Sequence, residues 1–224
     1  MTLAIAARCQ TTGMLGVAIS SSSPAVAARC PFARAGVGAV STQNITDPTL
    51  GLRALDLLAL GASAEEAISI IRRAAHIALR QVILVDAAGR TAAFSGTGTL
   101  GKHATVAGKS AVAGGNLLAS DTVPTSMIEA FTASEGRALG ERLLSALEAG
   151  VAAGGEAGPL RSAGMLVVDK VSWPIASLRV DWDEHDPVTA LRRIWQIYQP
   201  QMEDYVRRAL DPKSAPAYGV PGDP

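Results

Sequence analysis

Few of the residue types that usually announce chemistry occur in this chain. Aromatic residues are 4% of its 224 positions, and there are two cysteines and three histidines. Cys9 and Cys30 can build neither a disulfide framework nor a zinc site, so they read as reduced, buried thiols of a cytoplasmic protein. The histidines stand singly, with no i, i+4 pair on a helix and no CxxC beside them, so no metal site and no cofactor is expected. Charge of one sign is missing too. Lys+Arg and Asp+Glu both number 20, for a formal net charge of zero. Without a basic face, or aromatic residues interleaved with basic ones, nucleic acid and anionic membrane are excluded as main partners. No long hydrophobic run opens the chain. Met1-Thr2-Leu3-Ala4-Ile5 lacks a basic lead, and Arg8 soon interrupts it, which fits neither a signal peptide nor a membrane span. Gly96-Thr97-Gly98 lacks the remaining spacing of either phosphate-binding motif.

What is present is apolar: hydrophobic residues make up 48% and charged residues 18%. That supports one sizeable core, and the length fits one domain, read here as residues 1–210. Residues 211–224, with Pro212, Pro216, Pro221 and Pro224, read as an extended C-terminal arm.

Strand signals come first. Leu3 to Cys9, Leu15 to Ser20 and Val37 to Thr42 are apolar stretches broken by Thr11-Thr12-Gly13 and flanked by glycine. Asp47-Pro48 is an N-cap followed by proline at the first helical position, where the missing N–H costs nothing. Gly61 closes that helix, and Ser63-Ala64-Glu65-Glu66 is a capping box for the next, with Ala67, Ile70, Ile71 and Ala74 on one face. Gln81 to Val85 and Thr91 to Ser95 form a hairpin across Asp86-Ala87-Ala88-Gly89. One strand is expected from Ala104 to Ala113. Two helices follow, one after Asp121 with Met127 and Phe131, the other from Leu139 to Val151, ended by Gly154-Gly155. Strands at Gly164 to Val168 and Ile175 to Val180 precede a final helix opened by Asp186-Pro187. Its apolar positions Val188, Leu191, Trp195, Tyr198, Met202 and Tyr205 step by three and four, and Pro200 should kink it. Hairpins alternating with helix pairs do not make a parallel βαβ sheet. They suit a layered α+β fold built on antiparallel hairpins, without fixing the number of layers.

Several runs, spread over nearly the whole chain, resemble the DUF1028 family. They are the opening Met1 to Arg8, Gly13, Gly16-Val17-Ala18, Ala33 to Gln43 and Asp47-Pro48. Further on come Asp86, Gly89 to Gly96, His103, Gly115-Asn116-Leu117-Leu118, Leu178 to Asp181 and Asp186-Pro187. The resemblance implies a four-layer αββα sandwich like that of the N-terminal-nucleophile (Ntn) hydrolases and a small-molecule amide substrate. It does not by itself imply catalysis. The stretch Ser20-Ser21-Ser22-Ser23-Pro24 departs from the bulky or basic run the family often carries there.

That fold's chemistry needs a free N-terminal residue. Loss of Met1 would leave Thr2, whose hydroxyl attacks while its own α-amine accepts the proton. An α-amine titrates at about 7.7–8.0, close to working pH. Thr2 is equally suited simply to start a strand. Gly114-Gly115-Asn116, at the end of a strand, offers close backbone approach and a side-chain amide for an oxyanion, or else only a turn. Ser21, on the family's serine position, could bond the Thr2 amine. Thr42 and Gln43 could bind a polar substrate or pair at a sheet edge. Arg34 could clamp a carboxylate or form a structural ion pair, and His103 could act as acid, base or ligand, or sit in a surface loop. His76 and His185 read as surface residues.

Three functions follow. The first is an Ntn-type hydrolase of a small amide, with Thr2, Ser21 and Asn116 catalytic and Arg34, Thr42, Gln43, His103 and Gly115 substrate-binding. The second is a non-catalytic or cyclohydrolase-like small-molecule-binding relative that keeps Met1. The third is an assembly protein that uses the apolar face of its last helix. A homodimer is expected as for many soluble enzymes.

Overall fold

The structure, a computed structural model, describes residues 2–220. In chain order its elements are β1 (Thr2–Arg8), β2 (Leu15–Ser21), β3 (Pro31–Arg34), β4 (Gly38–Asn44), α1 (Pro48–Ala59), α2 (Ala64–Ile71), β5 (Arg80–Asp86) and β6 (Thr91–Ser95). Then come β7 (Ala104–Gly108), β8 (Ala111–Asn116), α3 (Val123–Ala133), α4 (Leu139–Ala152), β9 (Ser162–Val168), β10 (Ala176–Val180), α5 (Pro187–Tyr198) and α6 (Met202–Leu210).

The strands form two sheets, of order β10-β9-β2-β1-β8-β7 and β3-β4-β5-β6, and neighbouring strands are antiparallel throughout. Strand alternation sorts their side chains into three apolar layers. Between the sheets, Ala4, Ala6, Val17 and Ile19 meet Ala39, Ile83 and Val85. On the outer face of the smaller sheet, Val40, Val82 and Leu84 pack under Leu50, Leu55, Ile68 and Ile71 of α1 and α2. On the outer face of the larger sheet, Leu3, Ile5 and Ala113 lie in one core with Met127, Phe131, Leu143, Leu147 and Trp195 of α3, α4 and α5. The fold is therefore an α+β, four-layer αββα sandwich. Both faces of the central strands are buried, which is why Val82-Ile83-Leu84-Val85 is continuously apolar.

Local chemistry sets the helix starts. Asp47 caps α1 by accepting from the Thr49 N–H, with Pro48 at N1, and Ser63 and Glu66 make both bonds of a capping box on α2. Asp186 caps α5 through the Val188 and Thr189 N–H groups. At Pro200, which lacks an N–H, the final helix breaks into one 3₁₀ turn (Gln199–Gln201) between α5 and α6.

Two expectations are corrected. The stretch expected as one strand from Ala104 to Ala113 is the hairpin β7–β8, and its turn places Ser110 at φ 56°. A serine in the left-handed region gives no glycine or asparagine signal, and the apolar residues on both sides read as continuous. Strand β3 was not expected at all. It is four residues long, lies at a sheet edge and begins with Pro31, where a missing ladder donor is tolerated. Arg208 of α6 donates to the Pro216 carbonyl and lies over the Tyr218 ring. Pro221 and Pro224 lie outside the described residues.

Candidate active site

Ala4 and Ala6 point between the sheets, so alternation puts Thr2 on the same face. Thr2 pairs with Asn116 of β8, and Leu3 pairs with Ser20 of β2, a register that sets Thr2 opposite Ser21. Three polar residues thus stand side by side on β2, β1 and β8, at one end of the larger sheet. Thr2 is 5% exposed, and Ser21 and Asn116 are fully buried.

Facing them is a network of amides. Gln43 and Gln81 pair across β4 and β5, and both are fully buried. Gln81 Nε2 donates to Ser95 Oγ at 2.9 Å and to the Gly115 carbonyl at 3.0 Å. Its Oε1 is thereby turned to accept from Gln43 Nε2 at 2.8 Å and Asn116 Nδ2 at 3.1 Å. Gln43 Nε2 also reaches the Gly114 carbonyl at 3.3 Å, and its Oε1 accepts from Ser41 Oγ at 3.0 Å. Each amide is oriented by its neighbours, because carbonyls can only accept. The same logic turns Asn116 Oδ1 away from Gln81, and this buried oxygen has no hydrogen-bond partner among the described residues.

Gly115 sets how closely β1 starts against β8. A Cβ there would lie 2.8 Å from the Thr2 carbonyl oxygen and 2.6 Å from Leu118 Cδ2, so a side chain would push the first strand residue away. Ser21 Oγ lies 2.8 Å from Ser23 Oγ and accepts from the Ser23 N–H at 3.1 Å. Ser23 Oγ in turn accepts from Arg29 Nη2 at 2.7 Å. A guanidinium is therefore linked to Ser21 through one hydroxyl.

One residue of this region went unread in the sequence. Glu156, in the loop between α4 and β9, is 5% exposed. Its carboxylate oxygens accept from the Ser22 N–H at 3.2 and 3.1 Å, and its backbone bridges Leu118. Ser22 follows β2 and Leu118 follows β8, and β1 lies between those strands. Glu156 thus closes the end of the sheet just ahead of Thr2. Burial pushes its carboxyl up to about 7, against the lowering effect of the positively charged N-terminus and of the Ser22 hydrogen bonds. A carboxyl raised in the folded state binds its proton more tightly there than in the unfolded chain. Its stabilising contribution is complete below its ordinary value and is lost as pH rises through about 7. Against Glu156→Gln, the wild type should therefore lose about 3 kcal/mol of relative stability between mildly acid and neutral pH. Urea midpoints of the two proteins across that range measure it, and a constant difference would refute it. No sequence signal marks this residue. It is a single acid in a loop of small residues, Gly154-Gly155-Glu156-Ala157-Gly158, without periodicity.

The structure gathers Thr2, Ser21, Gln43, Gly115 and Asn116. Thr42 falls on the opposite face of β4, where its hydroxyl donates to the Asp47 carbonyl at the start of α1 (3.3 Å). Arg34 lies at the far end of the β3–β4 pairing, exposed and ion-paired with Asp56 at 2.8 Å. His103 is exposed just before β7, with Nδ1 3.0 Å from the Gly101 carbonyl oxygen, on the rim of the same sheet end. A cavity of about 520 Å³ opens at the other end of the larger sheet, beside Cys9, Arg142 and Trp195, and contains none of these residues. Cys9 and Cys30 are free thiols. Among the described residues no group of three His, Cys, Asp or Glu could hold a metal ion, and no helix is long and apolar enough to cross a membrane.

Fold and site together define a class: a four-layer αββα protein whose first strand starts between its sheets, over a buried amide network. The chain belongs to DUF1028, a family of unknown function whose model matches residues 2–191. A crystal structure of a DUF1028 protein from Silicibacter pomeroyi is similar at 30% identity and TM-score 0.83, covering 92% of this chain and 94% of that one. Anbu (ancestral beta-subunit) from Yersinia bercovieri aligns over 90% of this chain and 96% of its own, at 10% identity and TM-score 0.39. No curated protein matches.

Proposed function

We propose that this chain is an N-terminal-nucleophile hydrolase that cleaves the amide C–N bond of a small molecule, with Thr2 as nucleophile once Met1 is removed. Met1 itself lies outside the described residues. The observation that carries the reading is the alignment of Thr2 with Ser21 and Asn116 on the inter-sheet face, at the very start of the first strand. In this mechanism the Thr2 hydroxyl attacks the carbonyl carbon while the α-amine takes its proton. The amine then delivers that proton to the leaving nitrogen, and water hydrolyses the ester left on Thr2. Asn116 Nδ2 gives one N–H to Gln81 and has a second for the oxyanion, and Gly115 keeps the backbone close. Gln43 belongs to the polar wall that a substrate would meet. A homodimer and a cytoplasmic setting are part of the same reading.

The near-complete burial of Thr2 and Asn116 also suits a relative that only binds a small molecule and keeps Met1. Intact mass of protein from its own host, combined with a panel of small amides, separates the two. The expected result is a chain one methionine short that turns over at least one amide. Turnover by a chain that still carries Met1 would overturn the proposal.

A further inference from the structure

We infer that Glu156 is a positioning residue: its carboxylate holds the α-ammonium group of Thr2 in the mature chain and sets the pH at which that amine becomes free to act as base. The inference rests on the Thr2 reading and adds to it a residue that lies outside the aligned triplet.

Topology makes the first argument. In the order β2-β1-β8 the outer strands end level with Thr2, and the chain leaves them through Ser22 after β2 and Leu118 after β8. Glu156 ties those two exits together, by its carboxylate to the Ser22 N–H and by its backbone to Leu118. The carboxylate therefore sits where β1 would continue backwards, which is where a chain beginning at Thr2 presents its amine.

The second argument is chemical inventory. The Ser22 N–H is the one donor that reaches the carboxylate among the described residues, although a carboxylate has about four acceptor positions. Asn116 Oδ1, across from Thr2, is a buried acceptor with no hydrogen-bond partner among the described residues. Two under-used acceptors flanking one strand start fit a group made only of donors, and an ammonium has three. Charged groups around Glu156 are engaged elsewhere. Beside β2, Arg29 bonds the Pro24 and Ala25 carbonyls and Ser23; ahead of β9, Arg161 bonds the Glu184 carbonyl; beyond β8, Lys102 bonds the Ala119 carbonyl.

The sign follows. A carboxylate beside an ammonium favours the charged amine and so delays its release as a base. In the acyl-transfer step the Oγ–C bond forms, the hydroxyl proton moves to the amine nitrogen and then to the leaving nitrogen as the C–N bond breaks. Glu156 is unchanged across the step.

The test uses p-nitrophenyl acetate on full-length protein lacking Met1, reading acetylation of the N-terminal peptide by mass against pH. Wild type should label with a rate that rises through one midpoint. In Glu156→Gln the midpoint should fall by about one pH unit or more, because an opposite charge at close range shifts a pKa by about 1–3 units. Glu156→Asp, which keeps the charge but retracts it, should fall in between, and it decides the matter alone if the glutamine variant does not fold. An unmoved midpoint in a folded variant overturns this inference but leaves the Thr2 reading intact. Full turnover of a small amide by folded Thr2→Ala protein overturns the Thr2 reading instead, because the α-amine that the ester labels survives in that variant while the hydroxyl does not.

Discussion

Thr2→Ala should abolish amide hydrolysis, lowering kcat/KM by at least about 10³-fold while leaving the fold nearly as stable as before. The two effects separate because the hydroxyl and the strand position do different work. Thr2 sits at the end of β1, where its backbone pairs with Asn116, and alanine keeps that pairing. Truncation removes a methyl and a hydroxyl from a residue that is 5% exposed, a change of about 1 kcal/mol at one sheet end. The α-amine also survives, so general-base chemistry at the site is preserved and only the nucleophile is lost. Turnover of an amide found in the panel, together with a urea midpoint, measures both. Full turnover in a folded Thr2→Ala protein would end the hydrolase reading.

Gln81→Leu should be the costliest change in the inter-sheet layer, at about 3 kcal/mol or more. Leucine matches the side chain in bulk, so the loss is polar. Gln81 satisfies Gln43 Nε2, Asn116 Nδ2, the Gly115 carbonyl and Ser95 Oγ, and the first three belong to fully buried residues. Each buried group left without a partner loses roughly 1–3 kcal/mol, and the members of a network lose orientation together. Asn116 would also be free to turn, so any activity should fall with stability. The expected signature is a lower urea midpoint with an unchanged m-value. A midpoint within error of wild type would mean that the network is not what joins the sheets at this end.

These two residues were not equally visible beforehand. Thr2 stands out because the resemblance gives a meaning to a small hydroxyl residue after Met1. Gln81 looked like the polar first residue of an apolar strand, and nothing in Gln81-Val82-Ile83-Leu84-Val85 tells which face it takes or what lies opposite. Glu156 was less visible still. Its hydrogen-bond partner, Ser22, is 134 positions away, and a lone acid among glycines and alanines reads as solvated loop. Arg34, Thr42 and His103 show the converse. Their residue types suit a site, but Thr42 takes the α1 side of β4, Arg34 pairs with Asp56 at the wrong end, and His103 stays at the rim.

The helix caps at Asp47, Ser63 and Asp186, the helix break at Pro200 and the alternation of hairpins with helix pairs were all legible along the chain. They depend on backbone groups within a few residues, so neighbours alone decide them. The choice of four layers needed the resemblance, and the site needed the packed molecule. Whether Thr2, Ser21, Asn116, Gln43, Gln81 and Glu156 meet depends on strand register, on sheet order and on which way two amides turn. Those are set by contacts between residues far apart in the chain, where one step of register in a strand would send its side chains to the opposite face.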